Sequence, residues 1–298
     1  MNNERPVEKH GLVLLDKPEG PTSHDMVDAA RRALGVRRIG HAGTLDPFAT
    51  GLLLLLVGEA TRLQDYFLHR DKVYEGVIAL GVETDTGDLT GKPVRELAPA
   101  HWPKIEAPMI RAIIAEHFSG EIQQTPPVFS ALKVDGQRAY ALARSGREVV
   151  LSPRKVTLGA FVISEPVDGR IPFRLRCSSG TYVRSVAVDL GKALGIPAHL
   201  HSLRRAAIGD LSVSGACQAA ELGSAPILPV EKCLPLAGEL TLTGDHPTVA
   251  GLRKGRWQLL MRDMKTEGLW AVRVDGDLAQ IYEREGEKLR MTYNLLKG

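Results

Sequence analysis

Residues 37–51 read RRIGHAGTLDPFATG and lead directly into LLLLLV at residues 52–57, the most apolar run of the chain. Four glycine or proline residues interrupt the first segment, which has almost no periodicity, and this predicts a loop. The second segment has six residues, whereas a membrane helix needs about 20, so it predicts a buried strand or the end of a core helix. A loop of 15 residues is long for a compact domain, and we therefore treat it as a candidate functional loop.

Strands and helices are predicted on both sides of this loop. Before it, a strand over residues 11–15 leads to a helix that begins near Thr22 or Ser23 and ends at Gly35. One face of that helix is predicted to carry Met26, Val27, Ala30, Ala33 and Leu34. After the loop, the pattern predicts strands over residues 72–81, 156–164 and 172–178 and helices over residues 104–118 and 181–194.

Side-chain spacing assigns inner faces to two of these later elements. In the helix over residues 104–118, Ile105, Met109 and Ile113 are predicted to face the core. In the last strand, alternation predicts that Phe173, Leu175 and Cys177 point inward.

A basic segment and a small C-terminal unit complete the chain. Residues 123–155 contain Pro126-Pro127, which excludes regular structure at that point. The segment carries Lys133, Arg138, Arg144, Arg147, Arg154 and Lys155 together with Phe129 and Tyr140. This composition is typical of a basic flap rather than a core element. After about residue 225 the chain becomes β-rich, and LWAVRVDGDLAQIY predicts a hairpin that turns at Asp275-Gly276.

Composition and charge limit the class of protein. The 298 residues are 44% hydrophobic and carry a formal net charge of +3, so any nucleic-acid contact is expected at a local patch. The three cysteines are widely spaced, which argues against a disulfide framework and favours a reducing compartment. The first residues, MNNERPVEKH, lack the apolar stretch of a signal peptide. We expect a soluble, cytoplasmic protein.

Polar residues of the loop have both a functional and a structural interpretation. Asp46 before Pro47 is most often a turn residue that accepts local hydrogen bonds. Gly43 and Gly51, however, would let a ligand approach the backbone closely, which favours a site. His41 is equally ambiguous, because a lone histidine in a loop usually lies on the surface.

Three further positions have the same ambiguity. Tyr74 on its predicted strand fits simple core packing. In CSSGTYVRS, the small residues before a helix suggest an anion contact, whereas Arg184 in the first helical turn opposes the helix dipole and needs a carboxylate partner. Asp85 and Asp88 in TDTGDLTG lack calcium-loop spacing and favour a capping turn. Taken singly, these signals predict only an α/β protein with a basic flap.

Six segments of the chain occur in the order found in one known family. They are LDKPEGPTSHD, RRIGHAGTLDPFATGLL, KVYEGVIALGVETDTGD, QTPPVFSALKVDGQRAYALAR, CSSGTYVRSVAVDLGKALG and LRRAAIG. Together, over residues 11–209, they resemble the bacterial tRNA pseudouridine-55 synthases of the TruB type. The small C-terminal unit resembles the PUA-like RNA-binding domain of that family.

The resemblance implies a fold, a domain organisation and an activity. The fold would be α+β, with a mixed, largely antiparallel sheet flanked by helices (the pseudouridine synthase fold), and a small β-rich PUA-like domain. Residues 1–238 would form the catalytic domain, with the flap at residues 123–155, and residues 239–298 the PUA-like domain. The protein would be an isomerase that converts uridine 55 in the T-arm of tRNA into pseudouridine. It would need no cofactor, no metal and no guide RNA, and we expect a monomer.

The resemblance also implies site residues. Asp46 would be the catalytic carboxylate, Arg184 its ion-pair partner, and Tyr74 would pack on the target base and is a candidate for removing the C5 proton. An adjacent guanidinium favours the ionised carboxylate that this chemistry needs. The substrate-binding residues would be His41, Lys17, Tyr182, Leu203, Lys133, Arg138 and Arg144. Among them, His41 would contact the flipped nucleotide, Lys17 would support the catalytic loop, and Leu203 would lie in the site wall.

Several alternatives remain open at the level of sequence. Asp46 could attack C1′, attack C6 or remove the C2′ proton. A guide-dependent pseudouridine synthase shares the aspartate motif, but the basic segment at residues 123–155 favours the stand-alone enzyme. A non-catalytic tRNA-binding or folding module is disfavoured by the presence of Asp46, Tyr74 and Arg184 together. A metal-dependent RNA hydrolase is disfavoured because no ligand cluster is visible in the sequence.

Overall fold

The apolar run after the candidate loop is a buried strand. The computed structural model describes residues 9–130, 133–134, 137–138 and 151–296. In it, Thr50–Val57 is a strand whose residues are all buried from Gly51 onward. The loop before it is shorter than predicted, because Ile39–His41 pairs with this strand as a short strand of its own. The candidate loop therefore reduces to residues 42–49.

The strands form two main sheets and two short hairpins. In chain order they are β1 (Gly11–Lys17), β2 (Ile39–His41), β3 (Thr50–Val57), β4 (Lys72–Leu80), β5 (Val82–Thr84), β6 (Pro93–Glu96), β7 (Gly120–Gln124), β8 (Lys133–Val134), β9 (Gln137–Arg138), β10 (Arg154–Ile163), β11 (Arg170–Cys177), β12 (Ala198–Ile208), β13 (Leu211–Ser212), β14 (Cys217–Gln218), β15 (Leu236–Leu242), β16 (Gly268–Val274), β17 (Asp277–Glu285) and β18 (Lys288–Asn294). The larger sheet runs β14-β1-β3-β12-β4-β11-β10-β7, with β2 beside β3 and β13 beside β12. Its neighbours are antiparallel except at β1/β14 and β3/β12. The predicted mixed, largely antiparallel sheet is confirmed.

Helices flank this sheet. The α-helices of the described residues are α1 (Ser23–Leu34), α2 (Gln64–Leu68), α3 (Ala107–His117), α4 (Val183–Leu194) and α5 (Pro247–Arg253). Short 3-10 helices occur at Gly58–Leu63, Pro99–His101, Val213–Gly215, Ala219–Ser224, Val230–Cys233 and Trp257–Leu260. The predicted ends of α1 are confirmed, since Thr22 and Asp25 form a capping box and Gly35 ends the helix with φ 67°.

Two predicted helix faces need correction. Ala33 is exposed and does not belong to the buried face of α1. In α3 the buried side chains are Ala107, Ile110 and Ile114, whereas Met109 is 40% exposed. The predicted Ile105 and Ile113 are partly buried against the same core, so only Met109 was wrong. Successive residues of an α-helix are rotated by about 100°, so a one-residue error in the inferred face turns a core position towards water.

The larger sheet is covered on both faces. Helices α3 and α4 pack over one end of it, where Ile110 and Leu190 contact a core that includes Ile78 and Leu200. Helix α1 packs on the side of β3 that carries Leu53 and Leu55. On the other side of β3, the even-numbered leucines share a core with side chains of the C-terminal sheet. These leucines are Leu52, Leu54 and Leu56, and their partners there include Leu269, Ile281 and Tyr293.

The C-terminal unit is built on a four-stranded sheet in the order β15-β16-β17-β18. The predicted hairpin is confirmed: β16 and β17 pair, and Asp275 and Gly276 turn the chain with φ 52° and 89°. Two successive positive φ values are typical of the tight turn that joins antiparallel strands. The first strand of this sheet begins at Leu236. No helix among the described residues is both long and apolar enough to cross a membrane.

Much of the predicted flap lies outside the described residues, including Tyr140, Arg144 and Arg147. Lys133 and Arg138 are described as backbone only, and they pair opposite each other in the β8-β9 hairpin. The predicted extent of the flap was too wide, because Arg154 and Lys155 begin β10 and pair there with β7.

Candidate active site

The loop that carries Asp46 is hydrogen-bonded to the end of β1 and to the start of α1. The Lys17 ammonium, fully buried, donates to the carbonyls of Pro18 and Pro47 at 2.7 and 3.2 Å. On the other side of Asp46, the Ser23 hydroxyl accepts from the Leu45 amide at 2.8 Å and donates to the Leu45 carbonyl. Both neighbours of Asp46 are therefore fixed, which limits the positions that its carboxylate can take.

Arg205 of β12 holds the same loop from the opposite side. Its Nε donates to the Leu52 carbonyl at 2.7 Å and its Nη2 to the Gly43 carbonyl at 2.9 Å. A Cβ on Gly51 would lie 2.4 Å from the Arg205 carbonyl oxygen. The expectation that Gly51 leaves room for a ligand was wrong, because the backbone of Arg205 fills that space.

Arg184 at the start of α4 meets Asp46 directly. Its Nε lies 2.9 Å from Asp46 Oδ2, and its Nη1 lies 3.6 Å from Asp88 Oδ2. The guanidinium is 5% exposed and also donates to the carbonyls of Thr86 and Phe129, each at 2.9 Å. The position of Arg184 in the first turn of a helix predicted one carboxylate partner, and the structure provides two, Asp46 and Asp88. Their negative charges compensate for a cation at the positive end of the helix dipole.

Asp88 is the member of this cluster that sequence reasoning missed as a site residue. Its Oδ1 accepts from the Thr86 hydroxyl and from the amide and hydroxyl of Thr90, so it caps the turn as predicted. Its other oxygen faces Arg184, which sequence spacing did not indicate. Among the described residues, no cluster of three or more His, Cys, Asp or Glu side chains could hold a metal ion.

The Asp46 carboxyl is both open to the cleft and partly desolvated. Its side chain is 38% exposed and lines the cleft. Burial raises the pKa of Asp46 above its usual value, and this effect outweighs the opposing charge of Arg184, while the negative charge of Asp88 adds to the rise. Arg184 favours the charged form of the carboxyl, as expected, but its effect on the pKa is smaller than that of burial.

The cleft in front of Asp46 has a volume of about 520 Å³, in the range of pockets that enclose small ligands. Tyr74 of β4 and Leu203 of β12 line it beside Arg184. They are 9% and 8% exposed, so each presents a small apolar surface. Burial raises the pKa of the Tyr74 hydroxyl, and the positive charge of Arg205 opposes the rise. Tyr74 therefore remains a neutral phenol at neutral pH.

The expected substrate-binding residues fall into three groups. Tyr182 lines the cleft at the N-cap of α4, under the guanidinium of Arg154 at 4.7 Å from the ring centre. Lys17 is completely buried and contacts the loop, so the expected support of the loop fits and direct contact with a ligand does not. The expectation for Arg144 falls outside the described residues, and no side-chain contact is described for Lys133 or Arg138.

His41 is not brought into the cleft around Asp46. It lies on β2, opposite Leu55 of β3. Its Nδ1 is buried without a hydrogen-bond partner among the described residues. Burial and the charge of Arg205 lower its pKa, so the ring is neutral at neutral pH.

The chain matches one family in sequence. Residues 31–183 match the model of the TruB family pseudouridylate synthase (N terminal domain). A protein of Opitutus terrae named tRNA pseudouridine synthase B is 44% identical over 76% of this chain and 92% of its own length. Proteins of the same name from Leifsonia xyli subsp. xyli and Cupriavidus pinatubonensis are 41% and 40% identical over 95% and 98% of this chain. The chain covers 96% and 92% of these two proteins.

Solved structures show the same fold. A chain in the crystal structure of the archaeal box H/ACA sRNP Nop10-Cbf5 complex has a TM-score of 0.65 at 22% identity and covers 99% of this chain and 89% of its own. A chain of a Cbf5-Nop10-Gar1 complex has a TM-score of 0.65 at 23% identity over 96% of this chain and 84% of its own. At such low identity the likeness establishes the fold alone.

Proposed function

This chain belongs to the TruB family of pseudouridylate synthases, and we propose on that premise that it converts uridine 55 in the T-arm of tRNA into pseudouridine. We further propose that it does so alone, without a guide RNA, a protein partner or a cofactor. The names of its relatives support tRNA as the substrate. The observation that carries the proposal is the 2.9 Å contact between Arg184 and Asp46 in a cleft lined by Tyr74 and Leu203.

The proposed reaction suits this set of side chains. Isomerisation breaks the bond between N1 and C1′, turns the uracil and joins C5 to C1′, with no net oxidation or reduction. A carboxylate with a fixed position can act on the sugar or the base, and Asp46 is fixed through Leu45, Pro47 and Arg184. The Arg184 pair orients the Asp46 oxygen atoms and keeps a counter-charge close while the carboxylate is used.

Tyr74 and Leu203 would hold the uracil in the cleft. A tyrosine ring offers a flat apolar surface for a base, and its hydroxyl is a hydrogen-bond donor while it stays protonated. The raised pKa of Tyr74 favours that donor role in the free enzyme. Removal of the C5 proton by Tyr74 would need its hydroxyl to lose a proton only after the substrate is bound.

Binding at this depth requires the target nucleotide to leave the stack of the T-loop, which costs roughly a few kcal/mol. His41 beside the cleft is our proposed contact for the flipped nucleotide or its neighbours. The basic flap, with Lys133, Arg138 and Arg144, would contact phosphates and set affinity rather than base choice. Arg154 at the cleft is 4.7 Å from the Tyr182 ring and offers a further cation for the RNA backbone.

The C-terminal unit, residues 239–298, is proposed as a PUA-like RNA-binding domain beside a catalytic domain at residues 1–238. The exposed cations Arg253, Lys254 and Arg256 at the end of α5 offer phosphate contacts. We also propose that the enzyme acts as a monomer in the cytoplasm. Sedimentation of the free protein and of its 1:1 complex with tRNA would test the monomer.

Chemical mapping of pseudouridine tests the proposed substrate and position. An unmodified tRNA transcript is incubated with purified protein in EDTA, and pseudouridine is mapped by carbodiimide modification and primer extension. A matched transcript with cytidine at position 55 is the control. Product at position 55 of the first transcript and none in the control supports the proposal. Product at other uridines, or only after addition of a guide RNA, protein or metal, would contradict it.

A further inference from the structure

Two buried cations that line the cleft have no carboxylate partner within hydrogen-bonding distance among the described residues. Lys72 and Arg205 are 5% and 1% exposed, and both line the cleft that contains Asp46. Lys72 donates to the carbonyls of Leu68 and Arg70. Arg205 donates to the carbonyls of Leu52, Thr44 and Gly43 and also contacts the Tyr74 hydroxyl. Arg184, the third buried cation of the cleft, differs because it pairs with two carboxylates.

The two cations lie close together, next to Gly43 of the catalytic loop. A Cβ built on Gly43 would be 3.3 Å from Arg205 Nη1 and 4.0 Å from Lys72 Cε. Arg205 lies directly opposite Tyr74 in the β4-β12 pairing. Lys72 precedes Tyr74 by two residues on β4, and alternate residues of a strand share a face. Both cations therefore lie next to Tyr74, on the same face of the sheet.

Placing two like charges together in a desolvated position costs stability unless an anion offsets it. The cost is visible at Lys72, where burial and the charge of Arg205 lower the pKa to about 8. A phosphate group is a poor candidate for the anion, because the side chains are 5% exposed or less and lie at the floor of the cleft. A flat base that enters the cleft can approach them.

We propose that Lys72 and Arg205 stabilise the negative charge that develops on uracil when its bond to the sugar breaks. This inference rests on the proposed function. If the reaction begins at C1′ or C2′, the electron pair of the N1–C1′ bond stays on the ring and spreads over N1, O2 and O4. Fixed positive charge in a site of low dielectric stabilises such an anion strongly.

The atoms and electrons of this route balance. After rotation, the ring anion uses an electron pair at C5 to form the C5–C1′ bond, C5 then loses its proton and N1 gains one. In the same joining step the Asp46 carboxylate leaves C1′, or C2′ regains the proton that it lost. The product is an isomer of the substrate, and the two cations only lower the energy of the intermediate state.

Substitution of Lys72 tests the inference with two RNAs. Lys72→Gln removes the charge but keeps an N–H donor for a carbonyl, and Lys72→Arg keeps the charge. Arg174→Gln is the matched control, since Arg174 is an exposed cation on β11, with its side chain 59% exposed. Binding of T-arm stem-loop RNA and single-turnover consumption of the target nucleotide are measured with uridine and with 5-fluorouridine at position 55.

We expect Lys72→Gln to lower the single-turnover rate on uridine roughly 100-fold, the scale of losing one preorganised electrostatic contact, without weakening RNA binding. Fluorine itself stabilises the ring anion, so the loss on 5-fluorouridine should be clearly smaller. Lys72→Arg should recover most of the rate, and Arg174→Gln should match wild type. The inference would be overturned if Lys72→Gln lost no rate, or lost the same factor in rate on both RNAs. It would also be overturned if Lys72→Gln only weakened RNA binding at an unchanged rate, or if Lys72→Arg lost as much rate as Lys72→Gln. If wild type itself makes no pseudouridine, the proposed function fails instead.

A pH profile gives an independent readout. The charged and titratable groups near Lys72 are Arg205 on β12, Cys177 opposite it on β11, Asp71 beside it, Tyr74 two residues further on its own strand, and His69 at the cleft. Burial raises the pKa of Cys177 to about 11, so this thiol stays neutral near pH 8. Lys72 is charged below its pKa of about 8, so the wild-type rate should fall as pH rises through that value. Lys72→Arg should lack this fall, and a fall that persists in Lys72→Arg would contradict the inference.

Discussion

Arg184 donates from Nε to Asp46 Oδ2 across 2.9 Å, and the pair joins the start of α4 to the loop before β3. The same guanidinium contacts Asp88 and the carbonyls of Thr86 and Phe129. One side chain thus fixes a helix, a loop, a turn and the beginning of the basic flap relative to one another. The geometry of the site and the stability of the fold depend on the same contacts.

Removal of the Arg184 charge should therefore destabilise the protein. Arg184→Gln leaves Asp88, which is 4% exposed, without its cation, and breaking a buried pair in this way typically costs about 3–5 kcal/mol. Arg111→Gln is the control, since Arg111 and Glu165 form an exposed pair, for which a change of at most about 1 kcal/mol is expected. Urea unfolding measures both. Equal midpoints for Arg184→Gln and Arg111→Gln would show that the cluster adds little to stability.

Activity should fall in acid as Asp46 gains a proton. Burial raises the Asp46 pKa, so the fall should be centred above the ordinary value for aspartate. Asp88 contributes to that rise, and Asp88→Asn keeps the Oδ1 acceptor while removing the charge. The acid limb of single-turnover rate should therefore move to lower pH in Asp88→Asn. An unchanged limb, or one moved to higher pH, would show that Asp46 does not control it.

Gly51 and Gly35 provide a matched pair for the packing of the catalytic loop. Both have positive φ, 98° and 67°, but only a Cβ at Gly51 would meet other atoms, at 2.4 Å from the Arg205 carbonyl oxygen. Gly35→Ala should cost about 1–2 kcal/mol for the backbone conformation alone. Gly51→Ala should cost clearly more and should also lower the single-turnover rate, because Arg205 holds the loop. Similar unfolding midpoints for the two variants would contradict this explanation of Gly51.

The basic flap should set affinity rather than base choice. Replacing Arg138, Arg144 and Arg147 by alanine should weaken tRNA binding and reduce the dependence of log Kd on log salt by up to roughly 0.7–0.9 per lost phosphate contact. Pseudouridine should still form at the same position once RNA is saturating. Filter binding across a range of salt concentrations measures the slope, and an unchanged affinity and slope would remove the flap from RNA binding.

Local chemistry explains what the sequence predicted well. The ends of α1 depend on Thr22, Asp25 and Gly35, which lie within a few residues of the atoms they cap. The β16-β17 hairpin depends on Asp275-Gly276, whose backbone preference is also local. The assignment of Met109 to the inner face of α3 was wrong because Met109 and Ile110 are both apolar and only tertiary packing decides between them.

Contacts between distant segments explain what the sequence could not provide. Asp88 and Arg205 belong to the site through strand pairing and helix packing, and no spacing motif links them to Asp46. From the sequence alone, Gly51 could allow close approach of either a ligand or another backbone segment. Only the pairing of β3 with β12 shows that the backbone of Arg205 occupies that space. The family resemblance, unlike periodicity, did predict the contact between Arg184 and Asp46, because it carries information about distant positions.

Release of tritium from uridine C5 tests the central claim most directly, namely that Asp46 performs the isomerisation. T-arm stem-loop RNA with tritium at C5 of uridine 55 is incubated with wild type, with Asp46→Asn, and with Asp189→Asn, an exposed aspartate that serves as the control. We predict that wild type and Asp189→Asn release tritium. Asp46→Asn should release none, although this variant should still bind the RNA. Equal release by Asp46→Asn and wild type would contradict the role assigned to Asp46.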